Sequence, residues 1–65
     1  MKRYKCEIHI FKKGEILEEV ITDNLYFNTD KAVINRLTQI TDLIKSKDNV
    51  EMVVGKVNNQ MVTCK

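Results

Sequence analysis

The sequence predicts an α+β fold: a single small ββαββ domain over residues 1–65, with one helix packed on one face of a four-stranded sheet. Three observations predict it. Residues 3–11 alternate between apolar and polar side chains. Residues 28–48 carry apolar side chains at helical spacing, and residues 50–57 form a valine-rich run closed by an Asn58-Asn59 turn.

In the first strand, Tyr4, Cys6, Ile8 and Ile10 share one face, and Arg3, Lys5, Glu7, His9 and Phe11 share the other. Lys12-Lys13-Gly14-Glu15 reads as a turn, because Gly14 takes positive φ at no steric cost. Residues 15–22 read as the return strand, in one of two registers. A two-residue turn at Lys13-Gly14 pairs Ile10 with Leu17 and Cys6 with Ile21, and sets His9 against Glu18 and Lys12 against Glu15. A three-residue turn with a bulge at Gly14 suits the backbone better but opposes Glu7 to Glu19. The two registers exchange the faces of the whole strand, and both stay open. Thr22-Asp23-Asn24 reads as a polar break, and Leu25, Tyr26 and Phe27 as a short apolar run capping the edge of the core.

In the helix, Val33, Leu37, Ile40 and Ile44 fall in a narrow stripe at ~100° per residue, flanked by Ile34 and Leu43. Lys31, Asn35, Thr38, Gln39, Asp42, Lys45 and Ser46 form the polar side. Asn28 or Thr29 is the expected N-cap, Asp30 complements the positive helix start, and Asn49 offers a left-handed stop. In the last hairpin the Asn58-Asn59 turn pairs Val57 with Gln60, Gly55 with Val62 and Val53 with Cys64. Met52, Val54, Lys56, Met61 and Thr63 then share the opposite face, whereas the reverse register exposes Val53, Val57, Val62 and Cys64. Gly55 inside a strand points to a bulge or a close approach of another backbone.

A chain of 65 residues buries only ~60% of its unfolded surface, so oligomerisation is the expected help to stability. Two cysteines are far short of a disulfide scaffold, and Cys6 and Cys64 read as buried free thiols. No apolar run approaches the ~18 residues of a membrane span and no leader is visible, so the expected compartment is the cytoplasm. The abundance of Lys, Asn and Ile, with a single Ala, fits AT-rich coding DNA of a low-GC bacterium or its phages.

Little here supports chemistry. Cys6 and His9 have a short ligand-like spacing, but positions three apart on a strand point to opposite faces, and zinc needs ~four converging ligands. The expectation is no metal and no cofactor. One histidine with no oriented partner draws no catalytic triad, and Glu15, Glu18 and Glu19 read as a solvated hairpin face. The two glycines lie far apart, which excludes a phosphate-cradling loop. The chain is therefore read as non-enzymatic; a small-ligand carrier would need a concave pocket that a chain of this size forms only between subunits.

One helix cannot cover two faces of a sheet, so the uncovered face is the expected working surface. Its expected partner-binding residues are Lys5, His9, Phe11, Met52, Val54 and Met61. The function expected is a protein-binding module, a homo-oligomer that masks a partner protein's surface in the manner of small phage or mobile-element inhibitors of bacterial host or defence proteins. The alternative is nucleic-acid binding by a basic sheet face, with Arg3, Lys5, Lys12, Lys13 and Lys56 on phosphates and Phe11, Tyr4 or Tyr26 stacking. Against it stand nine acids to eleven bases, and no basic run longer than two.

Overall fold

A computed structural model describes residues 1–65. The element order is β1 (Lys2–Lys12), β2 (Glu19–Phe27), α1 (Asp30–Lys45), β3 (Val50–Val57) and β4 (Gln60–Cys64). The strands form one antiparallel sheet in the order β2-β1-β3-β4. β1 is therefore central, which its length and strict alternation explain: Tyr4, Cys6, Ile8 and Ile10 are all buried beneath α1. β3 adds Val50, Val53 and Val57 to the same core, and α1 adds Val33 and Leu37.

The helix is shorter than residues 28–48. Thr29 is its cap, with an extended backbone and a side-chain oxygen that accepts from the Ala32 N–H at 3.2 Å. It ends at Ser46, whose N–H donates to Asp42 O at 3.1 Å and whose hydroxyl donates to Leu43 O at 2.6 Å. Asn49 does not take the left-handed stop, because Ser46 has already closed the last turn; positive φ occurs only at Gly14, Asn58 and Asn59. Asn58 (φ 48°) and Asn59 (φ 68°) form the expected tight hairpin turn.

Thr41, a polar residue four positions after Leu37 and so between the stripe and its Ile34 flank, is fully buried beside Leu37. Its hydroxyl donates to Leu37 O at 2.9 Å, so the polar atom is satisfied within the helix and the methyl is free to pack. That methyl sits over Gly55. A Cβ added at Gly55 would lie 3.4 Å from Thr41 Cγ2 and 2.7 Å from Thr63 Cγ2, so the glycine permits close approach of helix and edge strand.

Neither expected register of the first hairpin forms. Residues 13–18 make a longer loop, closed by Glu15 N–H donating to Lys12 O at 3.2 Å, and β2 begins only at Glu19. Ile8 faces Ile21, Cys6 faces Asp23 and Tyr4 faces Leu25. Thr22-Asp23-Asn24 is thus the middle of an edge strand rather than a break. Lys12 pairs with Glu19 at 3.2 Å, not with Glu15, whereas His9 does meet Glu18, at 3.3 Å.

The second hairpin keeps Val57 opposite Gln60 but then shifts by one residue. A bulge between Gly55 and Lys56 sets Gly55 opposite Thr63 and Val54 opposite Cys64. Thr63 therefore turns inward and Cys64 outward. Cys64 is exposed, so only Cys6 behaves as a buried thiol. The two cysteines stand on opposite faces with β3 between their strands. Burial pushes the Cys6 thiol above its ordinary value, against the pull of the Leu25 amide, and Asp23 adds to the rise.

At one end of the core, Tyr4 Oη donates to Asp30 Oδ1 at 2.6 Å, tying β1 to the first turn of α1. The hydrogen bond to Asp30, then burial, then the Asp30 charge hold the Tyr4 phenol up at about 12, against 10.0 ordinarily. An acid whose pKa rises on folding favours the folded state in its protonated form. That advantage is complete below pH 10 and is lost as pH climbs to about 12. Urea titrations should show the chain losing stability across this window, and Tyr4→Phe should lose less. Parallel declines in the two proteins would remove Tyr4 as the cause.

Candidate functional site: the open face of the sheet

The alternation that buries Tyr4, Cys6, Ile8 and Ile10 forces Lys5, His9 and Phe11 onto the face that α1 does not cover. β3 contributes Met52, Val54 and Lys56 to this face, and β4 contributes Met61 and Cys64. All six residues expected to bind a partner therefore stand on one surface. Cross-strand pairing arranges it in rows. Val20, His9, Val54 and Cys64 form the central row, with Phe11 and Met52 on one side of it and Thr22, Glu7, Lys56 and Met61 on the other. Beyond Glu7 lie Lys5 and Arg3, the latter facing Tyr26. The surface thus has an apolar half around Phe11, Met52 and Val54 and a basic half around Arg3, Lys5 and Lys56.

Exposure differs from the simple expectation. Met61 is 64% exposed, but Phe11, Met52 and Val54 are half-buried, because neighbours on adjacent strands shade one another. Phe11, Met52 and Cys64 line a shallow depression with Glu51 and Lys65. The His9 ring is held from two sides, with Nε2 3.3 Å from Glu7 Oε1 and Nδ1 3.3 Å from Glu18 Oε2. A protonated ring donates to both carboxylates, a neutral one to a single carboxylate. These contacts tie the 13–18 loop to the open face and fix the ring at the centre of the apolar rows. Cys6 and His9 are on opposite faces of β1, and no three His, Cys, Asp or Glu side chains are grouped to hold a metal ion.

No family model matches the chain, and no curated protein or solved structure matches it either. Its surface chemistry must be read from its own residues. No helix is long and apolar enough to cross a membrane.

Two residues named for the nucleic-acid alternative are not available to it. Tyr4 lies in the core with its hydroxyl on Asp30, so it cannot stack on a base. Lys12 is tied to Glu19 beyond the bulge that ends the regular part of β1. Val20, Tyr26 and Cys64 belong to the open face and were not legible in advance. Placing the first two required the β2 register, and placing the third required the Gly55–Lys56 bulge.

Proposed function

We propose that this protein is a non-enzymatic binding module, a homo-oligomer that works by masking a partner protein's surface with its open sheet face. The observation that carries the reading is the set of Val20, Val54 and Cys64 around His9, bordered by Phe11, Met52 and Met61: mostly apolar side chains on a face that its one helix leaves open. Such faces are used for contact because covering them removes apolar area from water. By analogy of type, the proposed role is that of a small phage or mobile-element inhibitor of a host or defence protein.

Cys64 provides an internal reporter, since its exposed thiol lies within the face. Sedimentation over a wide concentration range should show self-association, accompanied by slower labelling of Cys64 by a thiol reagent. Val54→Asp and Phe11→Asp should abolish both effects and also strip bound partner from the protein purified from its native host. A monomer at every concentration, with no co-purifying partner and a constant Cys64 labelling rate, would rule the reading out.

The gathering of Arg3, Lys5 and Lys56 near exposed Tyr26 favours a second reading, in which the basic half binds nucleic acid. Phosphate contacts make affinity fall steeply with salt. Binding to single-stranded DNA or RNA that ignores salt, or no binding at low salt, removes this alternative.

A further inference from the structure

The open face matches itself when one copy is turned over onto another. Its central row runs Val20, His9, Val54 and Cys64 across β2, β1, β3 and β4. Phe11 and Met52 stand on one side of that row, and Thr22, Glu7, Lys56 and Met61 on the other. Packed sheets keep their strands within about 30° of each other, so a twofold axis between two such faces runs either along the strands or across them.

An axis along the strands, between β1 and β3, lays β2 over β4 of a second copy and β1 over β3. Val20 then lies over Cys64 of the second copy, Phe11 over Met52 and Thr22 over Met61. Glu7 lies over Lys56. These two are already cross-strand neighbours in each copy, so charges of opposite sign alternate around the axis. Lys56 takes part in none of the chain's own ion pairs and is free for this contact. An axis across the strands instead sets Phe11 over Glu7 and Met52 over Lys56, which desolvates charges against apolar side chains.

The 13–18 loop adds a contact outside the sheet. Ile16 is 101% exposed, so its own chain covers none of it. The loop that carries it is nevertheless fastened. Gly14 sits at φ 77°, Glu15 N–H donates to Lys12 O at 3.2 Å, Lys13 N–H donates to Asn49 O at 2.9 Å, and Glu18 meets His9 on the open face at 3.3 Å. Leu17 turns to a hollow beside Ile10, Lys12 and Glu19, which leaves Ile16 as the free anchor. The loop joins β1 to β2 at the Phe11 end of the sheet. At the same end, on the other side of β1, Phe11, Met52 and Cys64 line a depression of about 470 Å³ with Glu51 and Lys65. The twofold along the strands exchanges these two corners, so each loop meets the other copy's depression at the same time.

We propose that two copies of this chain pack open face to open face about a twofold parallel to their strands, with Ile16 of each seated in the Phe11–Met52–Cys64 depression of the other. The arrangement rests on the reading of the open face as a self-associating surface, and gives that surface an axis and an anchor. Covering Ile16 removes a whole aliphatic side chain from water, and the fastened loop loses little freedom in doing so.

Sedimentation over a wide concentration range, with cross-linking by a short bismaleimide, tests this on the full chain. Ile16→Asp should weaken self-association by about tenfold or more. Leu43→Asp, at a 70% exposed position on the helix side, should leave it unchanged. Val20→Cys should yield a covalent dimer joined from position 20 of one copy to Cys64 of the other. The parent chain, with Cys64 as its exposed thiol, should yield little. The twofold puts the two Cys64 residues over opposite edges, ~14 Å apart along the sheets and ~10 Å between them. A parent that stays monomeric ends the reading of the open face as self-associating, and this arrangement with it. A parent that self-associates but links Cys64 to Cys64, gives no link from position 20, or is unaffected by Ile16→Asp overturns the arrangement alone.

Discussion

Replacing Gly55 with valine should unfold the domain or destabilise it by about 3 kcal/mol or more. The added Cβ alone would lie 2.7 Å from Thr63 Cγ2, 3.4 Å from Thr41 Cγ2 and 3.8 Å from Leu37 Cβ. The first neighbour is the tip of a half-buried side chain on a short edge strand, the easiest of the three to displace. The other two belong to the buried face of α1. Alanine should therefore be tolerated better than valine, with its clash offset in part by the backbone entropy that glycine loses in a strand. Combining Gly55→Ala with Thr63→Ser removes the closest methyl and should recover part of the loss; Gly55→Val with Thr63→Ser should recover little. Urea midpoints of the set measure this. A valine variant with an unchanged midpoint would show that α1 does not rest on Gly55.

Leu37→Ala comes next in expected size. Leu37 is 1% exposed at the centre of the helix–sheet contact, and truncating such a residue typically costs about 2–5 kcal/mol. Total stability for a chain of this length is roughly 3–10 kcal/mol. The variant should be largely unfolded by circular dichroism at ambient temperature, or melt far below the parent. Leu43 is the internal control: it lies on the same helix but is 70% exposed, so Leu43→Ala should change stability by less than about 0.5 kcal/mol. Similar effects from the two substitutions would mean that the burial assigned to α1 is wrong.

How legible each element was in the sequence follows from how firmly its faces are constrained. β1 lies between β2 and β3, with a helix over one face, so burial enforces the period of two and the alternation could be read directly. That alternation was enough to place Lys5, His9 and Phe11 on one surface; Met52 and Val54 stood there in only one of two readings of the last hairpin, and pairing of β3 with β1 decided it. β2 is an edge strand whose residues from Glu19 to Asn24 are all exposed, so solvent meets both of its faces there. Polar residues such as Thr22, Asp23 and Asn24 cost little there, and the strand resembled a break. Gly14 does take positive φ, but within a longer loop than a tight hairpin, so the turn residue located the bend without setting its length.

The sequence alone determined the element order, the helix-covered face of β1, the Asn58-Asn59 turn and the need for a small residue at Gly55. These follow from local chemistry: periodicity, φ preference and the presence or absence of a Cβ. Only the tertiary structure decided that β1 is central, that Thr41 and Thr63 meet at Gly55, that Cys64 joins the open face, and that β2 is exposed from Glu19 to Asn24. Each of these depends on where α1 settles across the sheet and on a one-residue bulge. Such choices are made by packing between residues distant in the chain, and no local pattern encodes them.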